Sequence, residues 1–237
     1  MHEISTIILY SFFSGITVLF GALTSRFYER LKEGFLKEEF IHGTVAFGGG
    51  VLVAAVAFVL TPPAIANLSL LFLSVIFLSG VLFFFALDKF ISYKGGTLAQ
   101  LLAMLMDYIP EAISLGAVFA HNCRLGLLLA IFIGLQNYPE AFNAYRDLRK
   151  SGYSPNRAVA ILAPMSLFGI PAALLGNYLL SGKPQLIASL MLFSAGGILF
   201  LIFQDIAPMS KFKNSWIPAL GATLGFFVGM VGEKLLG

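Results

Sequence analysis

The sequence predicts an all-α integral membrane protein with eight transmembrane helices. Three observations predict it: an apolar composition, eight apolar runs of spanning length, and basic residues gathered on one side. Of the 237 residues, 58% are hydrophobic and 11% charged, whereas a soluble domain is about half apolar and about a quarter charged. Mean hydropathy is +0.89. A spanning helix needs about 20 apolar residues. Such runs fall at 4–24, 44–63, 67–87, 98–119, 125–144, 158–180, 185–204 and 215–233, and none contains Lys, Arg or His. Residues 1–237 therefore read as one transmembrane domain embedded in a lipid bilayer.

The connections are short. The longest, "SRFYERLKEGFLKEEFIHG", follows the first run, and its alternating charges predict an interfacial helical extension. Positive charge orients the chain. Arg26, Arg30, Lys32, Lys37, Lys89, Lys94, Arg146, Arg149, Lys150, Arg157, Lys211 and Lys213 follow the odd-numbered runs, while only Arg124, Lys183 and Lys234 lie on the other side. Twelve against three puts both termini on the non-cytoplasmic side of a cell membrane, and an odd number of spans would spoil the segregation. The basic residues form no stripe, so no nucleic-acid partner is expected. Cys123 is the single cysteine, which leaves no disulfide within these residues and no cysteine-rich metal site.

Several runs resemble one another. "FGGGVLVAAVAFVLTPPA" in the second is like "FSAGGILFLIFQDIAPMS" in the seventh, and "GVLFFFALDK" is like "GFFVGMVGEK". The fourth and fifth runs share a Pro-Glu-Ala core. The pattern is a 3+2+3 arrangement, and across eight spans its outer triplets run in opposite directions. Weak inverted repeats of this kind mark many secondary transporters.

Chemistry concentrates in the central pair, "MDYIPEAISLG" (106–116) and "LQNYPEAFNAY" (135–145). Asp107 and Glu111 are one helical turn apart and project from one face. Gln136 and Glu140 do the same, with Asn137 beside Gln136. An ionised carboxylate at mid-bilayer costs roughly 2.5–3.5 kcal/mol on insertion scales, and the runs offer no basic partner. Protonation or a bound cation must compensate, and three carboxylates with two amides are enough ligands for a divalent ion. Pro110 and Pro139 free the carbonyls of Met106 and Leu135, which belong where protein or a wet cavity can satisfy them. Ala112, Gly116, Gly134 and Ala141 are small enough for close helix approach. The predicted metal ligands are Asp107, Glu111, Gln136, Asn137 and Glu140.

These two Pro-Glu segments resemble the metal-binding fourth and fifth helices of the ZIP family of divalent-metal transporters, as does "RKSGYSPNRAVAILAPMSLFGIPAALLG" ahead of and within the sixth run. The resemblance implies eight helices, external termini and Glu111 and Glu140 as metal-binding carboxylates, with Gln136 and Asn137 as the polar pair ahead of the second. Asp107 stands where the family usually has His, and Tyr108 where it has Asn. Ile170 precedes Pro171 where many members carry Glu, Pro63 stands in for an acid, and "DKFISYKGG" lacks a His-rich stretch. Such changes harden the ligand set and leave one principal metal site.

Function follows as an expectation: divalent cations, with Zn, Fe or Mn as substrate, move toward the cytoplasm by alternating access. Cofactors are expected to be none; self-association as a homodimer is left open. No phosphate-binding Gly-rich loop is present. An intramembrane metalloenzyme would ordinarily need His ligands, so no enzyme activity is expected. A degenerate ZIP-like protein that binds metal without robust transport, or a proton or other-cation carrier, are the alternatives. Among other polar residues, Asp205 and Gln204 read as an interfacial cap or exit ligand, Asp88 with Lys89 as a solvated ion pair, and "HNC" at 121–123 as an exposed loop tip. His2 and His42 have no spacing that makes a site.

Overall fold

A computed structural model describes residues 2–31, 34–94, 99–119 and 122–236. The described residues form α1 (His2–Glu29), α2 (Phe35–Ala55), α3 (Pro62–Asn67), α4 (Leu70–Lys94), α5 (Ala99–Phe119), α6 (Cys123–Lys150), α7 (Pro155–Leu180), α8 (Pro184–Leu201), α9 (Ala207–Ser210) and α10 (Ile217–Leu236). Two π-helical turns, Val56–Leu60 and Ile202–Ile206, join α2 to α3 and α8 to α9. Among the described residues there is no strand. Seven helices among the described residues are long and apolar enough to cross a membrane: Glu3–Glu29, Phe35–Asn67, Leu70–Ile91, Cys123–Lys150, Pro155–Leu180, Pro184–Ser210 and Ile217–Leu236. The predicted span at 98–119 coincides with the 21-residue α5, which is not among those seven, so eight spans become seven on this criterion.

The charged stretch after the first run is helical at both ends, with α1 continuing to Glu29 and α2 already formed at Phe35. Tyr28 stacks on Phe40 at 4.5 Å and closes that corner. Of 121–123, Asn122 and Cys123 are exposed, as expected of a loop tip. Asn122 caps α6, its side chain accepting from the Leu125 N–H at 3.0 Å, and Cys123 is the first helical residue; His121 lies outside the described residues. An N-cap amide satisfies one of the otherwise unpaired first-turn donors.

Four helices, α1, α5, α6 and α7, pack on one another as a bundle, flanked by the pairs α2/α10 and α4/α8. Glycine sets how close they come. A Cβ on Gly225 would lie 2.1 Å from the Phe47 carbonyl oxygen, and one on Gly50 would lie 1.9 Å from that of Ala222. The second pair repeats this, Gly80 against the Phe193 carbonyl and Gly196 against that of Phe77. Phe47, Gly50 and Pro62 stand at the same spacings as Phe193, Gly196 and Pro208, and the π turns fall at matching places between them.

Proline explains those turns. Pro62 and Pro208 have no N–H and their rings crowd the carbonyl four residues back. The chain responds by shifting to i−5 bonding, with the Thr61 N–H on the Val56 carbonyl at 3.1 Å and that of Ala207 on Ile202. Single π turns of this kind recur at functional sites.

The three consecutive glycines of α2 serve three neighbours. Gly48 admits the Pro139 ring of α6, Gly49 the Ile206 side chain, and Gly50 the α10 backbone. Replacement of Gly50 by Leu is therefore expected to destabilise the fold by about 1–3 kcal/mol through overpacking. Gly34→Leu, where an added Cβ meets nothing within 4 Å, is expected to be neutral. Thermal unfolding of both variants in detergent compares them.

Candidate metal site between α5 and α6

Pro110 lies inside α5 and Pro139 inside α6, so each helix loses a main-chain bond one turn from its acidic residues. Asp107 is buried at 5% exposure, and Glu111, Gln136 and Asn137 are at 0%. The Asp107 Oδ1 accepts from the Tyr108 N–H at 2.8 Å. Gln136 Nε2 donates to Glu111 Oε2 and joins the two helices. Asn137 turns toward α1 instead, donating from Nδ2 to the Ser14 carbonyl at 3.3 Å. Glu140 is close enough to interact with both Asp107 and Glu111.

The oxygen atoms of this group are unusual for a buried cluster. Among the described residues, Glu111 Oε1, Gln136 Oε1, Asn137 Oδ1 and both carboxylate oxygens of Glu140 are buried with no N–H or hydroxyl donor, Glu140 facing only the Asp107 carboxyl. Leaving a buried acceptor unpaired costs about 1–3 kcal/mol, and more for a charged group. Every one of these atoms is an acceptor, so one more acceptor could not relieve them; a cation or protons could. Among the described residues no three His, Cys, Asp or Glu side chains are drawn into a single metal-holding group. The carboxylates instead sit as two neighbouring elements, Asp107 with Glu140 and Glu111 with Gln136.

Asp107 and Glu140 line a cavity of about 180 Å³ together with Asp88, Asn143, Asp205 and Met209. These last residues belong to the ends of α4, α6 and α8–α9, which finish on the side carrying most of the basic residues. On the far side Tyr10 stacks on Phe119 at 5.1 Å, above the fully buried Leu115, Leu129 and Ile133. The cavity thus runs from Asp107 and Glu140 toward the basic end, while Glu111 is fully buried beside it.

Two predicted roles are corrected here. Asp88 is no solvated partner of Lys89: it lines the cavity, and the Lys89 ammonium lies 5.9 Å over the Phe85 ring. Asp205 is not a helix cap, because it sits within the π turn, where the altered helical phase turns it to the cavity wall facing Asp88. Asn143 and Met209 were not singled out by the sequence, although Asn143 lies three residues after Glu140 and shares its face. Its Nδ2 donates to Asp147 Oδ2 at 3.2 Å and to Met209 Sδ at 3.6 Å.

Over 152 residues the chain is 32% identical to a protein named zinc transporter GufA, from Myxococcus xanthus. The match covers 60% of this chain and 59% of that relative, so the chain spans less than two thirds of the relative's length. No family model matches the chain.

The pairing of Gln136 with Glu111 gives a direct test of the site's electrostatics. Gln136→Leu removes the single donor to Glu111 Oε2 and is expected to lower stability by about 1–3 kcal/mol in metal-free detergent. Glu111→Gln removes the buried charge at constant shape and is expected to leave stability unchanged or raised. Unfolding temperatures of the two variants read the difference.

Proposed function

We propose that this chain carries divalent metal cations across a membrane, toward the cytoplasm, through the carboxylates of α5 and α6. The observation that supports it most is the set of buried oxygen acceptors without donors, contributed by Glu111, Gln136, Asn137 and Glu140 and bordered by Asp107. Cations bound at the two elements would relieve them. The likeness to a zinc transporter supports metal as the substrate class.

In this reading α5 completes a set of eight spans in a 3+2+3 plan, with both termini away from the cytoplasm and the basic ends of α1, α4, α6 and α8–α9 facing it. The glycine-matched pairs α2/α10 and α4/α8 are related by an inverted repeat, each pairing one helix from either outer triplet, and the bundle of α1, α5, α6 and α7 carries the ligands between them. The conformation is the inward-open one. Metal enters from the far side when Tyr10 and Phe119 separate, is held by the carboxylates, and leaves through the cavity past Asn143, Asp88 and Asp205. Successive acidic groups keep a cation bound weakly enough at each step to move on, as conduction through binding sites requires.

A second reading, a metal binder without robust flux, draws on the separation of the ligands into two elements. Uptake into proteoliposomes decides between them. Saturable entry of at least one of Mn²⁺, Fe²⁺, Zn²⁺ and Co²⁺ is expected, abolished in Glu111→Ala/Glu140→Ala. Background flux of every ion from folded, inserted protein would contradict transport.

A further inference from the structure

We propose that a second site, at the basic end of the molecule, holds the phosphate of an anionic phospholipid headgroup. The inference is independent of transport and needs only that the chain spans a membrane. A cavity of about 150 Å³ lies where α1 ends, α2 begins and α6 ends. It shares no lining residue with the cavity that reaches Asp107. Four basic side chains, Lys37, Arg146, Arg149 and Lys150, line it with two carboxylates, those of Glu29 and Glu38.

Part of that charge is spent within the protein. Arg149 Nη2 and Nε reach Glu29 Oε1 at 2.6 and 2.8 Å, and the Tyr145 hydroxyl donates to Glu29 Oε2 at 2.7 Å. Glu29 is thereby satisfied and fixes Arg149. Arg146 is different. The one carboxylate it reaches among the described residues is Glu38, at 3.9 Å, beyond hydrogen-bond length, and the His42 ring draws on the same carboxylate at 3.7 Å. Ser25 also lines the cavity; it is 2% exposed and its hydroxyl has no partner among the described residues. Neither has the buried Nε of Arg26, the next residue, whose charge acts on Tyr145. That N–H can only donate and the hydroxyl can do so. The orphaned groups here call for an acceptor, the reverse of the carboxylate site. α2 starts at this corner with no side chain capping its first turn, and an uncapped helix start adds partial positive charge.

Depth decides the source of the phosphate. Ser25 directly follows the apolar run 4–24, and Tyr145 directly follows 125–144, so the cavity sits at headgroup level, just beyond the hydrocarbon. Basic pockets between membrane helices take anionic headgroups there, and a guanidinium matches phosphate oxygens through paired N–H groups. Phe27, Phe35 and Leu36 are exposed at the same corner. Acyl chains would cover these side chains, whereas a soluble phosphate would leave them in water. A headgroup in this cavity touches α2 and α6 together, and so braces the helix that carries Glu140 against the α2/α10 pair.

The test is thermal unfolding of the full chain in a non-ionic detergent, titrated with phosphatidylglycerol. A saturable rise in the midpoint of about 2–4 °C is expected. Phosphatidylcholine with the same chains, and inorganic phosphate at the same concentration, are expected to give none. Variants are compared by the lipid concentration at half-effect, whatever their starting stability. Arg146→Gln is expected to raise it about fivefold, the loss of one basic charge near a membrane surface. Lys150→Gln, at a side chain 68% exposed, is expected to shift it the same way, and Lys234→Gln, at the opposite end, to leave it unchanged. An equal rise with phosphatidylcholine, no rise with either lipid, no shift in both Arg146→Gln and Lys150→Gln, or an equal shift in Lys234→Gln overturns the inference. An equal rise with inorganic phosphate overturns the lipid assignment and gives the cavity a soluble anion instead.

Discussion

Carboxylate oxygens buried between two helices, with no basic side chain to neutralise them, are the constraint on which the rest of this molecule depends. Glu111 and Gln136 spend one hydrogen bond on each other and still leave acceptors exposed to one another. Low-dielectric surroundings make unpaired polar groups costly and paired ones strong. The chain therefore carries in its centre a group that is incomplete without positive charge. That makes a poor core, and each helix also carries a proline in the same stretch, Pro110 in α5 and Pro139 in α6.

Keeping such a group in place requires close packing around it. Lipid tails give helices no hydrophobic reason to associate, so small residues and backbone contact do that work. The Gly48 approach to Pro139 couples α2 to the helix that carries Glu140, and Gly49 couples α2 to the π turn that carries Asp205. The same three-residue stretch thus touches both the ligand-bearing helix and the cavity wall. Tyr108, buried against Gly15 and Gly169, fixes α5 between α1 and α7 and fills space beside Asp107 with an aromatic ring.

Much of this was legible in the sequence because the signals are physical and local. Long apolar runs, the one-sided basic residues and the carboxylates one turn apart on Pro-containing runs need no tertiary knowledge to interpret. The Gly-rich openings of the second and seventh runs were visible as likeness, and their matched contacts account for it. Other features depend on geometry that pattern does not encode. The π turns change helical phase by one residue, which is why Asp205 faces the cavity although its position in the run looked terminal. Asp88 looked paired because Lys89 is its neighbour, yet adjacent residues on a helix point in different directions. Asn137 carried the same ligand promise as Gln136, and only the approach of α1 shows its amide nitrogen committed to the Ser14 carbonyl.

The central claim is that a cation stands among Asp107, Glu111 and Glu140. Anomalous scattering from crystals soaked in Mn²⁺ tests it most directly. The expected result is one dominant peak between α5 and α6, in contact with those three carboxylates and lost in Glu111→Ala/Glu140→Ala. A dominant peak elsewhere in the molecule, or none in crystals of the intact wild-type protein, would contradict it.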